Sequence, residues 1–169
     1  MNSENFQIAA ENPACSNSIE TLTAEAFGPG RFTRTAFRLR ENVPHEPELS
    51  LTAQYNGELV GSVRLTQILI GDQTSLLLGP LVVSPKHKNV GIGAALMQAS
   101  VKAAKDQGWR HILLVGDLTY YEKFGFKVVP HGQITMPGPV DPARLLYCPL
   151  QNGEGCPEGV ATKSFAEPA

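Results

Sequence analysis

Between Leu76 and Phe126 the hydrophobic pattern of the chain switches from strand to helix and back. An apolar run, Leu76-Leu77-Leu78-Gly79-Pro80-Leu81-Val82-Val83, passes through Ser84-Pro85 into Lys88-Asn89-Val90-Gly91-Ile92-Gly93-Ala94-Ala95-Leu96, and then into helical spacing. A run apolar at successive positions is a strand covered on both faces. His111-Ile112-Leu113-Leu114-Val115 is a second run of that kind. Strand, glycine turn, helix, strand predicts two parallel neighbours with a right-handed crossover. The chain is therefore committed to an α/β fold.

The glycine turn carries chemistry as well as shape. Gly91 and Gly93 have no Cβ atoms, so a ligand can approach the backbone closely. The first turn of a helix offers unpaired N–H groups and partial positive charge, which together favour an anion, phosphate above all. Two phosphate-binding patterns fail here. The dinucleotide motif wants Gly or Ala where Leu96 stands, and the nucleoside-triphosphate loop wants Gly-Lys-Ser/Thr, which is absent.

What remains resembles the acetyl-CoA signature of the GCN5-related N-acetyltransferases, Gln/Arg-x-x-Gly-x-Gly/Ala, with Lys88 at its first position. The downstream Tyr120-Tyr121-Glu122-Lys123-Phe124-Gly125-Phe126 is similar to the Tyr-x-x-x-Gly-Phe element of that family. Val115-Gly116-Asp117 and Leu78-Gly79-Pro80-Leu81 resemble its YhbS-like branch. The resemblance covers roughly residues 16 to 150. It implies a mixed, mostly antiparallel sheet with a splayed central parallel pair, 75–83 and 111–115, flanked by helices. It also implies acetyl-CoA as acyl donor co-substrate, an amine as acceptor, and direct attack in a ternary complex.

The resemblance assigns cofactor contacts to Leu81, Val82, Val83, Lys88, Val90, Gly91, Ile92, Gly93 and Ala94, and the general-acid position to Tyr121. Gly79-Pro80 is either a bulge that only bends the sheet or the point where it splays, freeing backbone of Leu81–Val83 for a pantetheine arm. A backbone N–H of Leu81 or Val82 is then the oxyanion donor. Lys88 brings a flexible point charge or is a solvated lysine. Tyr120 reads as a packing or cofactor-contact aromatic.

Taken in order, residues 1–15 lack a period and form a flexible lead or an edge strand. Ser18 is placed to cap a helix with Ile19, Leu22, Ala26 and Phe27 on one face, stopped by Gly28-Pro29-Gly30. A second helix is expected over Thr33–Glu41. Arg31, Arg34, Arg38 and Arg40 lie here, as a solvated face or as partners for an acidic acceptor or phosphate. Leu49 to Tyr55, the Asn56-Gly57 turn and Glu58 to Gln67 read as a hairpin. A helix over Gly93–Gln107 would lay Leu96, Ala99, Ser100 and Ala103 on the sheet. Thr119 and Glu122 match a capping box. Strands at Phe126–Val129 and Leu145–Cys148 follow, joined by a proline-rich loop, and 151–169 reads as a loosely packed tail whose Val160–Phe165 can dock.

Transfer to an amine also needs a base. An alkylammonium of pKa about 10.4 costs roughly 4–5 kcal/mol to deprotonate at pH 7. The run from Leu76 to Val83 holds no carboxylate, which leaves Asp117, Glu122, His111, His131, a water chain or no dedicated base. Cys148 lacks a paired base, and Cys15, Cys148 and Cys156 form no Cys-x-x-Cys. The histidines show no ligand spacing, so no metal is expected. A net charge of −2 offers no global field for nucleic acid. With no signal peptide and no membrane-length apolar run, the protein is expected in the cytoplasm as one domain, 16–150, in a monomer or homodimer. The alternatives are a non-catalytic acyl-CoA-binding or regulatory module, and an acyltransferase using longer acyl donors.

Overall fold

The computed structural model describes residues 6–164, apart from the side chains of Phe32 and Thr33. Its strands are β1 (Gln7–Ala10), β2 (Leu51–Tyr55), β3 (Glu58–Ile70), β4 (Gln73–Val83), β5 (His111–Val115), β6 (Lys127–Val128), β7 (Ile134–Thr135), β8 (Leu145–Pro149) and β9 (Gly159–Lys163). Its helices are α1 (Ser16–Phe27), α2 (Thr35–Arg40), α3 (Ile92–Asp106) and α4 (Leu118–Tyr121).

The sheet runs β1-β2-β3-β4-β5-β8-β6, antiparallel except for β4 beside β5. This is the mixed, splayed sheet the sequence implies. Asn56 and Gly57, at φ +51° and +79°, turn β2 into β3 with the two left-handed residues a tight hairpin requires. The central strands divide two apolar layers by their own alternation. Leu76, Leu78, Ile112 and Leu114 face the α3 side, while Leu77 and Leu113 face a second cluster with Leu39, Val129, Ile134 and Ala161.

Helix α3 buries Ile92, Leu96, Met97, Ser100 and Ala104. Ala99 and Ala103 are only half-buried, so the expected face was rotated. Close approach comes from the sheet instead: a Cβ on Gly61 of β3 would stand 2.8 Å from Ile92 Cγ2 and 3.1 Å from Leu96 Cδ1. Helix α1 starts at Ser16, after a 3₁₀ turn capped by the Asn12 side chain, rather than from a Ser18 cap. Proline at the start of that turn supplies the helical φ two residues early.

The piece of the tail expected to dock, Val160–Phe165, does so over its described residues, and the rest of the tail is held more firmly than expected. Gly159–Lys163 pairs with Ile68–Ile70 of β3 and with β7, a strand inside the proline-rich loop. Gln151 donates from Nε2 to the carbonyls of Lys105 and Trp109 at the end of α3 (3.0 and 2.9 Å), and Glu154 pairs with Arg110. Residues 151–164 are thus tied down by pairing that a polar, glycine-rich composition does not announce. Phe165 lies outside the described residues. Among those described, no helix is long and apolar enough to cross a membrane.

Ala161, 1% exposed, sits inside the second apolar cluster. Ala161→Asp is expected to cost about 3 kcal/mol by burying an unpaired carboxylate, read by urea denaturation; a cost below 1 kcal/mol would show the tail is not integral to the fold.

Candidate active site

Strands β4 and β5 pair only at Leu76–Ile112 and Leu77–Leu113. Beyond Leu77 they part company, because β4 follows β3 (Val63–Leu81, Ser62–Val82, Gly61–Val83) while β5 follows β8 (Leu114–Leu146, Val115–Leu145). The register explains the parting. Between the Leu65–Leu78 and Val63–Leu81 pairs, β4 holds one residue more than β3, so Gly79-Pro80 bulges opposite Arg64. Gly79 sits at φ +137°, where a side chain is strained. The edge of Leu81–Val83 that faces away from β3 carries no strand among the described residues.

The start of α3 stands beside that edge. Gly91 caps the helix in the left-handed region, φ +90°, after Asn89 at φ +65°. No side chain caps it, and its first turn bond runs from the Ala95 N–H to the Gly91 carbonyl (3.0 Å). The N–H groups of Ile92, Gly93 and Ala94 therefore have no acceptor among the described residues. Val90 packs on the α3-side core and holds the turn down. Lys88 is exposed just ahead of it.

Two tyrosines complete the gap from the β5 side. Helix α4 begins after Asp117, and Thr119 lies within it, so the expected capping box does not form. Asp117 is instead fixed by an ion pair with Arg144. The Tyr121 ring lies on Gly116, where β5 ends, and a Cβ there would collide with it. Phe126 and Tyr120 meet Tyr121 edge-on, at centroid distances of 6.0 and 4.8 Å. Burial, then the neighbouring Tyr120 and Asp117, push the Tyr121 phenol up to about 12. The Tyr120 hydroxyl stands at the first turn of α3, 2.8 Å from where a Gly93 Cβ would be.

A cavity of about 1290 Å³ opens from this gap, lined by Tyr120, Tyr121, Gly116 and the bulge on one side and by α1 and α2 on the other. The proline-rich loop is its third wall, held to α2 by the Thr35 hydroxyl donating to Pro139 O (2.6 Å) and Arg38 Nη1 donating to Pro137 O (2.8 Å). Arg64 pairs with Glu11 at 2.9 Å and reaches Glu20 at 3.4 Å, and His45 also meets Glu11. Burial lowers the His45 pKa, with Glu11 opposing, so the imidazole is neutral at neutral pH.

The base candidates read from the sequence scatter. His111 is buried at the start of β5, its Nδ1 2.7 Å from Ser75 Oγ and its Nε2 3.2 Å from Gln73. His131 lines a separate pocket, Glu122 is exposed, and only Asp117 lines the main cavity. His45, Glu11 and Arg40 come to the site from segments with no motif, and only Arg40 stood in a pattern that hinted at it. Among the described residues, no group of three or more His, Cys, Asp or Glu could hold a metal ion. The three cysteines are free, and burial pushes Cys148 up to about 11.

Residues 16–126 match the family model described as the acetyltransferase (GNAT) family. The chain is 29% identical over 126 residues to an uncharacterized N-acetyltransferase of Escherichia coli K12, YjhQ, covering 72% of this chain and 68% of that one. Its fold superposes with a TM-score of 0.77 on Escherichia coli YhbS, solved in complex with CoA, at 20% identity over 94% of this chain and 89% of that one. A GNAT family acetyltransferase from Brucella melitensis, solved in complex with acetyl-CoA, gives a TM-score of 0.69 at 26% identity, over 93% and 94%.

Proposed function

The chain belongs to the acetyltransferase (GNAT) family, and from that premise we propose that it moves an acetyl group from acetyl-CoA to an amine by direct attack in a ternary complex. The observation that carries this reading is the juxtaposition of an uncapped α3 start with the unpaired edge of Leu81–Val83 and, across the gap, the half-buried Tyr121, whose hydroxyl has no hydrogen bond among the described residues. The residues fit the donor. Free N–H groups at Ile92–Ala94 suit a pyrophosphate, Gly91 has open space where a Cβ would be, Gly93 admits the Tyr120 hydroxyl to the helix start, and Val90 and Lys88 frame the turn. The open backbone edge of Leu81, Val82 and Val83 suits an amide-bearing arm, in the manner of an added strand.

Acetyl-CoA would supply an activated thioester; everything else falls to the chain. A backbone N–H of Leu81 or Val82 beside the bulge would meet the negative charge that builds on the acyl oxygen. Tyr121 would protonate the leaving sulfur. Its pKa of about 12 looks a poor match for a free thiol at about 8.5. Burial acts on a thiol in the same direction, and Cys148 in this protein reaches about 11. Burial of the leaving thiolate therefore narrows the gap. The proposed recipient of the amine's proton is His45 on the cavity wall: neutral, and held by Glu11. It replaces the carboxylate that β4 lacks. Tyr120, with its hydroxyl beside Gly93, is a donor-contact group in this scheme.

Three outcomes test the scheme. Gly93→Val should abolish acetyl-CoA binding in calorimetry, since its side chain would displace the Tyr120 hydroxyl from the start of α3; unchanged binding puts the seat elsewhere. Tyr121→Phe is expected to lower kcat by about 10²-fold with the acetyl-CoA dissociation constant intact. Because this phenol stays protonated below about pH 11, no alkaline fall in kcat should be traceable to it. Binding with no transfer to any amine would favour a non-catalytic acyl-CoA module. Finally, His45→Gln should slow transfer about 10-fold at pH 7, with the defect shrinking toward pH 9.5, where the amine is increasingly free; a defect constant with pH would remove His45 from the proton path.

A further inference from the structure

Arg40 ends α2, and its guanidinium turns in toward the sheet rather than out to solvent. A Cβ on Gly79 would stand 2.9 Å from Arg40 Nη1, so the side chain lies against the bulge where β4 leaves β5. It is half-buried in the wall of the main cavity.

Its neighbours are accounted for and it is not. Arg64 is taken by Glu11 and Glu20, and Arg144 by Asp117. Asp141 accepts from its own loop at Ala143 N–H. Glu41 lines the cavity but is exposed and unbonded to Arg40. Arg34, also cavity-lining, has the Phe27 ring under it at 5.0 Å and no carboxylate partner. Arg40 thus has neither an acidic nor a carbonyl partner among the described residues. Burial, then Arg34 and Arg64, lower its pKa to about 10. It remains charged at neutral pH in a place where charge is penalised, with other cations as company. A cation held this way is a receptor for an anion brought from outside.

We propose that the acceptor is an amine bearing an anionic group, carboxylate or phosphate-like, within a few bonds of its nitrogen, and that Arg40 holds that group with Arg34 behind it. The proposal rests on the acetyltransferase reading above. Distance sets the size: Arg40 touches the same bulge at which the acyl group would be delivered, so the nitrogen and the anion must fit side by side. A guanidinium fork meets either oxyanion with two parallel N–H donors. The same pair of cations repels polyamines and other polycationic acceptors.

The test uses the full chain saturated with CoA. Calorimetry compares glycine, β-alanine and 4-aminobutyrate, each with its neutral amide, and 2-aminoethylphosphonate; transfer from acetyl-CoA to the same probes is followed in parallel. At least one anionic amine should bind 10-fold or more tightly than its amide, and the carboxylate or phosphonate preference tells the two sources apart. Arg40→Gln should erase that difference, raise KM for the anionic amine at least 10-fold and leave the acetyl-CoA dissociation constant unchanged. Arg40→Lys should keep part of the preference. Arg40→Met should match or exceed the wild-type melting temperature, since it removes an unpaired charge. Equal binding of anionic amines and amides, or an Arg40→Gln defect equally large for both, overturns the proposal; the latter would place Arg40 on the acyl group instead. Absence of acetyl-CoA binding with the anion preference retained would sink the acetyltransferase reading and leave the Arg40 site standing.

Discussion

One residue too many in a single strand is the constraint on which the site depends. Because Gly79-Pro80 is accommodated opposite Arg64 alone, β4 cannot keep hydrogen-bonding register with both neighbours. It keeps β3 and loses β5 after Leu77. In a sheet otherwise satisfied on both sides, that loss opens a wedge with a bare backbone edge at its mouth. Glycine is the residue that can take φ +137° there, and its missing Cβ is also the space that Arg40 enters. The bulge therefore fixes the gap and one wall of the cavity together.

The wedge is useful only because α3 begins at its edge, and packing sets that position. Ile92 and Leu96 press on Gly61 of β3, and Gly93 comes close to Val83 of β4. The helix start is pinned to the two strands that form the open side, so its three unpaired N–H groups cannot drift relative to the edge of Leu81–Val83. At the other end, the Gln151 side chain closes on the carbonyls of Lys105 and Trp109. The tail thereby satisfies the helix terminus farthest from the chemistry. Polar groups at one end of α3 are consumed by the protein; at the other they are left for a ligand.

Most of the proposed donor side was legible because it is local and made of backbone. The glycine turn, the run from Leu76 to Val83 and the alternation of Ile112 to Leu114 each imply their structure without long-range partners. Gly79-Pro80 was readable as a break, though not as the place where Arg40 would lodge. Errors arose where a partner far along the chain decides. Thr119 and Glu122 had capping-box spacing, but Arg144 engages Asp117 and the helix begins two residues earlier. The tail looked loose because its partners, β3 and a two-residue strand within a proline-rich loop, carry no mark in its composition. On α3 the sequence showed small residues; the close contact is made by a glycine on the strand beneath it.

The proposed acceptor side was illegible for the same reason, carried further. Its walls come from α1, α2, the segment around His45 and the loop at residues 137–141, and what matters there is which charges cancel. A list of arginines does not contain that information. Arg38 spends its guanidinium on a loop carbonyl, Arg64 on Glu11 and Glu20, and Arg144 on Asp117, and only after these subtractions does Arg40 stand out. The neutral His45 likewise becomes visible only beside Glu11. A backbone-built seat can be shared by proteins with different substrates, because it asks little of side chains. The opposite wall is built from side chains and keeps an uncancelled charge at Arg40, so the proposed selectivity rests there.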